Sequence, residues 1–364
     1  MEGAKGSSGY FGRDFEPSAM AMITSNQYFL LFISTFVLVG AFTPLMRKVA
    51  LKTNFVDRPN SAHKTHHEPI PYLGGVGIIL GILIIVYAAI LTQNNFSKDF
   101  WLATSLLGPA LLLGLVGLID DKKALPPLPR FIAQTAAGIF TAGLIISTDT
   151  VGNPSGNSLL DAVITVLWIV GITNSINFFD NLDGGAAGAV AATSFGLFLI
   201  TYNNAQYLLS ATSLTIFAAM LGFLIWNKSP AKIYMGDAGA LFLGTIVAVL
   251  TIRLNPEVPS QTISFAIPLL LLAVPILDTS VAVISRIRRG RSIFQGGHDH
   301  LSHRLMRKGF TKRQSAYALW SLAAIFAGIA ATIATTNSDS NFLVGLSGLF
   351  WLGLFVTFLQ SADE

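Results

Sequence analysis

Long apolar stretches separated by short polar connections run from about residue 27 to the end of the chain. A helix needs about 20 apolar residues to cross the hydrocarbon core of a bilayer. Runs of that kind lie at 27–47, 73–92, 100–119, 131–147, 158–176, 186–202, 206–226, 238–254, 262–285, 315–335 and 341–360. Unpaired backbone groups are too costly in hydrocarbon for these runs to be irregular, so each reads as a helix. The pattern predicts an all-α polytopic membrane protein of about eleven transmembrane helices, with 27–364 as one transmembrane domain. Residues 1–26 show no helical period and no small-residue cleavage site behind an early apolar core. They are expected to form a disordered tail and not a signal peptide.

Composition agrees with a membrane solvent. The chain is 52% hydrophobic and only 12% charged, against about a quarter charged in soluble domains. It has no cysteine, which excludes disulfides and thiolate metal sites.

The net charge of +4 says less than where the cations lie. Loops 47–72, 120–130, 177–185, 227–237 and 286–314 hold 19 of the 23 lysines and arginines. The alternate loops hold only Lys98 and Arg253, and the N-terminal tail holds Lys5 and Arg13. The positive-inside rule therefore places the first set in the cytoplasm, the N-terminus outside and the C-terminus inside. All six histidines fall in those same cytoplasmic loops, as do Asp57, Glu68, Asp120, Asp121, Asp180, Asp183, Asp237 and Asp299. Ordinary loop polarity does not explain this, because the opposite loops have no histidine. A cytoplasmic substrate is implied.

Several groupings carry chemical potential. Asp120 and Asp121 end the third run, where two carboxylates meet the negative end of a helix dipole and repel each other. A metal would offset them; so would Lys122 and Lys123 at a solvated helix end. Asn177, Asp180 and Asp183 are spaced by three, so on a continuing helix they share a face. Their oxygens suit a hard cation, a sugar or a base edge, and Gly184 and Gly185 permit close backbone approach. Asp237 precedes the eighth run, where capping a helix competes with function. Arg286, Arg288, Arg289 and Arg291 precede His298, His300, His303 and Arg304, a cation density suited to a diphosphate or to anionic lipid. His300 and His303 have zinc-ligand spacing, but no third ligand is indicated. Acids for a divalent cation beside bases for phosphate, at a membrane surface, are the parts phosphoryl transfer needs.

These motifs resemble the polyprenyl-phosphate N-acetylhexosamine-1-phosphate transferase family, in its bacterial undecaprenyl-phosphate GlcNAc-1-phosphate branch. Lys64-Thr-His66-His-Glu-Pro69-Ile-Pro71-Tyr-Leu-Gly74-Gly75 looks like the family's first loop. Asp120-Asp121 with Leu125, Arg130 and Gln134, then Asn177 to Gly184, then Met235-Gly236-Asp237-Ala-Gly239, match three further motifs in order. His300 to Leu305 is similar to the histidine motif of the GlcNAc-type branch.

The resemblance implies a bacterial cytoplasmic-membrane enzyme acting on a UDP-N-acetylhexosamine and a polyprenyl phosphate, with Mg²⁺ as cofactor and Mn²⁺ as its substitute. It also implies a homodimer, no nucleic acid partner, and the first membrane step of a cell-surface glycan such as lipopolysaccharide or teichoic acid. Carried over by motif, Asn177 and Asp237 hold Mg²⁺. Asp120 and Asp121 orient or deprotonate the lipid phosphate, and Lys64 and Arg130 neutralise phosphate charge. Tyr234 stacks on uracil, Asp180 and Asp183 serve the substrate, and His300 and His303 contact the sugar-diphosphate.

Three departures bear on sugar choice: Arg130 where lysine is usual, Tyr72 where arginine is common, and Ser302 within the histidine run. A phospho-MurNAc-pentapeptide transferase is the nearest alternative, but such relatives show three adjacent histidines. A nucleotide-sugar transporter is the alternative of a different class. Its signature, an ionisable residue deep in a broken helix, has one candidate in Asp278. A CDP-alcohol phosphotransferase would need an arginine where Gly188 stands.

Overall fold

The computed structural model describes residues 23–57, 70–92, 96–293, 297–336 and 340–361. Lys64 and most of the first loop motif fall outside that set, as do residues 1–22 of the expected tail.

The helices are α1 (Ser25–Lys52), α2 (Gly74–Ile90), α3 (Phe96–Lys123), α4 (Pro127–Ser147), α5 (Ser158–Phe179), α6 (Gly185–Asn203), α7 (Tyr207–Asn227) and α8 (Gly236–Arg253). They continue as α9 (Gln261–Leu271), α10 (Ala273–Arg288), α11 (Leu301–Arg307), α12 (Lys312–Thr335) and α13 (Ser340–Gln360). Two short strands, β1 (Val56–Asp57) and β2 (Ile70–Pro71), pair antiparallel at the ends of the first loop. Among the described residues nine helices are long and apolar enough to cross a membrane. The bent pair α9–α10 makes a tenth if it is counted as one span, and α2, with 17 residues, is a shorter apolar helix, against the eleven spans expected. Every apolar run of the sequence lies on one of these. The chain is an all-α, multi-pass membrane protein.

Local chemistry sets the boundaries. α1 starts two residues inside the expected tail because Thr24 and Gln27 form a capping box. Asn157 caps α5 by accepting from Leu159 and Leu160. Thr311 and Gln314 box the start of α12.

The run 262–285 reads as one span in the sequence but bends by 74° at Leu272. Pro275 has no N–H to give the carbonyl of Leu271, and its ring crowds that carbonyl. Thr193 Oγ1 of α6 donates to Leu271 O at 2.7 Å in its place. The break is thus satisfied from a neighbouring helix, as hydrocarbon requires.

α8 sits at the centre and is mostly buried, whereas most of α1 and α13 is not. It packs on α2, α3 and α5. Two of these contacts admit only glycine. A Cβ on Gly75 would lie 2.3 Å from Gly239 N, and one on Gly117 would lie 2.3 Å from Asp237 O. Close approach of α2 and α3 to the start of α8 brings three of the motifs together.

Candidate active site

The motifs meet in a cavity of about 540 Å³ at one end of the helix bundle. Asp120, Asp121, Arg130, Asn177, Asp180, Asp183, Tyr234, Asp237 and His303 all line it. Stretches of chain separated by more than 100 residues therefore converge, as the shared set of loops implied.

The two acids ending α3 do different work. Asp120 is buried; its Oδ1 accepts from Leu125 N at 2.6 Å and its Oδ2 pairs with Arg130 Nη1 at 2.7 Å. Arg130 Nη1 also stands 3.7 Å from Asp237 Oδ2. Its planar fork can serve two carboxylates, which a lysine ammonium does less well. Asp121 accepts from Asp237 N at 2.8 Å and from Ala238 N at 3.1 Å. It is the cap of α8, supplied from another helix. Asp237, expected just before the helix in a capping position, instead lies in its first turn and is released from capping. Its Oδ1 accepts from Asn177 Nδ2 at 2.7 Å.

Asp121→Ala should lower thermal stability by about 1 kcal/mol, the usual worth of a lost cap, as read from a melting curve. Asp120→Asn keeps an oxygen for Leu125 N but loses the ion pair with Arg130, and should cut turnover at least about tenfold, or about 1.4 kcal/mol of barrier. The reverse pattern would exchange these roles.

A helix does not continue through Asp183, in keeping with the reading of 177–185 as a loop. α5 ends at Phe179, Asp180 is its C-cap, and Gly184 at φ +71° starts α6. A left-handed residue at that point needs glycine. Asn177, Asp180 and Asp183 nevertheless line the same cavity, by a turn and not by helical period. Asp183 Oδ2 accepts from Ala231 N at 3.1 Å, and Tyr234 Oη stands 3.5 Å from Asp183 Oδ1. Tyr234 is fixed through its backbone, donating to Pro71 O at 2.8 Å and accepting from Gly74 N at 3.0 Å. Gln134, a motif residue by resemblance, ties α4 to α5 through Asn174 and does not line the cavity.

Burial, together with the charges of Asp121 and Asp183, pushes the Asp180 carboxyl up to about 7. Proton uptake there relieves a crowd of like charges at neutral pH. Burial beside His298 and His300 lowers His303 to about 4, so its imidazole is neutral at pH 7.

His300 is not among the cavity-lining residues; it is buried behind them. Sequence reasoning gave no role to Lys312, Met306 or Asn181, which do line the cavity. Lys312 carried a signal: with Arg313 it puts two cations in the first turn of α12, where the helix dipole disfavours them.

Among the described residues no three His, Asp or Glu side chains group tightly enough to cage a metal. The oxygens of Asp237 and Asn177 instead suit a hard cation that completes its shell from substrate phosphates and water, as Mg²⁺ does.

The model of glycosyl transferase family 4 matches residues 103–255. The chain is 32% identical to the probable undecaprenyl-phosphate N-acetylglucosaminyl 1-phosphate transferase of Bacillus subtilis, over 90% of this chain and 87% of that one. It is 29% identical to the undecaprenyl-phosphate alpha-N-acetylglucosaminyl 1-phosphate transferase of Yersinia pestis, over 84% and 82%. It is also 29% identical to the phospho-N-acetylmuramoyl-pentapeptide-transferase of Staphylococcus carnosus, over 64% and 77%. The chain belongs to the polyprenyl-phosphate N-acetylhexosamine-1-phosphate transferases of glycosyl transferase family 4.

Proposed function

We propose that this protein transfers GlcNAc-1-phosphate from UDP-GlcNAc to a polyprenyl phosphate such as undecaprenyl phosphate, releasing UMP. The observation that carries the reading is the cavity itself. Five aspartates, Arg130 and Lys312 face one another at the end of an apolar bundle, where a lipid phosphate and a soluble diphosphate can meet. Relatives named for this reaction cover most of the chain.

An oxygen of the lipid phosphate attacks the sugar-linked phosphorus, and the bond to the uridylyl phosphate breaks with UMP as leaving group. Little base is needed, because a phosphate monoester has a second pKa near about 6. The larger task is placing nucleophile and diphosphate in line. Arg130, braced by Asp120, offers its remaining N–H donors to phosphate oxygens. Asp237 and Asn177 are the residues that would hold Mg²⁺, which supplies neutralisation of charge on the diphosphate. Lys64, by its motif, adds a further cation. Tyr234 presents a ring to uracil, and Asp183 an acceptor to the nucleoside. Neutral His303 and Lys312 flank the sugar-diphosphate.

GlcNAc is favoured over MurNAc-pentapeptide because Ser302 breaks the histidine run; its hydroxyl donates to Asn181, beside Asp180. We place the cavity at the cytoplasmic face of the bacterial inner membrane, on the strength of the cation-rich segment 286–314.

The test is purified full-length protein with Mg²⁺, undecaprenyl phosphate and a panel of UDP-sugars, following UMP. Release should be fastest with UDP-GlcNAc and should stop on chelation of the metal. Absence of UMP with every donor would overturn the reading, and release only from UDP-MurNAc-pentapeptide would assign the other branch.

A further inference from the structure

Asp278 is a carboxylate inside an apolar helix, and the reaction proposed above makes no use of it. It lies in the second turn of α10, just past the bend at Leu272, and its exposure is 0%. A charge so placed is costly unless its partners are well aligned. Here they are. Asp278 Oδ2 meets His300 Nδ1 at 2.7 Å, and its Oδ1 accepts from Leu301 N at 2.7 Å. One carboxylate thus grips both the histidine and the first backbone amide of α11.

The far side of the imidazole is also occupied. Arg286 Nη2 stands 3.3 Å from His300 Nε2. A guanidinium only donates, so Nε2 must accept and the proton sits on Nδ1, directed at Asp278. Arg286 is itself held by Asp299 at 3.1 Å and lies over the ring of Phe178, next to Asn177. Arg304 closes the arrangement from within α11, donating to Asp299 O, Ser285 Oγ and Phe358 O. Both of these contacts of the His300 ring point into the protein.

We propose that Asp278 is the positioning residue of the histidine segment: by fixing His300 and the start of α11 from outside the cavity, it places His303 on the cavity wall. His303 lies three residues beyond His300, and α11 has only seven residues. So short a helix depends on its ties and not on its own propensity. The role of His303 toward the sugar-diphosphate rests on the function proposed above; the tie itself does not.

The absence of cysteine makes a direct test available. Ser302 is 1% exposed, so a Ser302→Cys background should react slowly with maleimide in detergent-solubilised full-length protein. Adding Asp278→Ala should speed labelling at least tenfold. Asp278→Asn, which keeps an acceptor for Leu301 N, should fall between. Equal labelling rates with and without Asp278 would overturn the proposal. Should Asp278→Ala fail to fold, His300→Gln removes the same tie from the other side and carries the same expectation.

Kinetics supply a second readout. Asp278→Ala should raise KM for the UDP-sugar at least tenfold while KM for the lipid phosphate stays within twofold. A loss of active protein alone would lower kcat and move neither KM. Combined with His303→Ala, Asp278→Ala should add little further loss; full additivity would overturn the proposed path. Labelling needs no substrate, so faster labelling with no turnover in the parent protein would count against the cavity's assigned reaction and leave the tie standing.

Discussion

Asp237→Asn should abolish Mg²⁺-dependent release of UMP, by at least about a thousandfold or about 4 kcal/mol of barrier, while the protein still folds. The two halves of that expectation have separate causes. The introduced amide keeps an oxygen for Asn177 Nδ2, which in the native protein donates to Asp237 Oδ1 at 2.7 Å, so the contact between α5 and α8 survives. The cap of α8 also survives, because Asp121 binds the backbone N–H groups of residues 237 and 238 and not the side chain. Removing one carboxylate from the group formed with Asp120 and Asp121 relieves like-charge repulsion, so the metal-free melting point should hold or rise. What disappears is the anionic oxygen offered to a hard cation. Near-wild-type turnover in this variant would remove Asp237 from the metal site.

Gly117→Ala should cost at least about a hundredfold in turnover, although it adds only one methyl group. The new Cβ would stand 2.3 Å from Asp237 O, 2.4 Å from Asp237 C and 2.6 Å from Ala238 N. All three are backbone atoms, so no side chain can rotate aside, and α3 must move off α8 by about 1 Å. A displacement of that size in a catalytic constellation costs about a hundredfold, and overpacking itself costs about 1–3 kcal/mol. Asp120, Asp121 and Asp237 would be carried apart together. Gly108 on the same helix is the control, since a Cβ there meets nothing within 4 Å. Gly108→Ala should keep full activity. If Gly117→Ala matched it, contact between α3 and α8 would not be what sets the Asp237 carboxylate.

The resemblance to the family was legible because its motifs are short and ordered along the chain, but motif matching assigns roles by type and not by contact. It gave Asp120 and Asp121 one shared task, whereas the structure gives the first to Arg130 and the second to the start of α8. It set His300 and His303 side by side at the substrate, whereas only His303 lines the cavity. Helical spacing put Asn177, Asp180 and Asp183 on one face, and the glycine turn at Gly184 brought them together by another route. Asp278, the one signal of a transporter, is taken up by a buried histidine.

The sequence by itself determined the apolar spans and the side of the bundle on which the reactive residues gather. Bilayer thickness fixes a span's length, and charge bias acts loop by loop, so both are written in contiguous residues. The tertiary structure alone decided which carboxylate caps, which pairs and which stays available, and where the ninth run bends. Those outcomes depend on atoms brought within about 3 Å across more than 100 residues of chain, as Asp121 and Asp237 are. No local period or composition records such a contact.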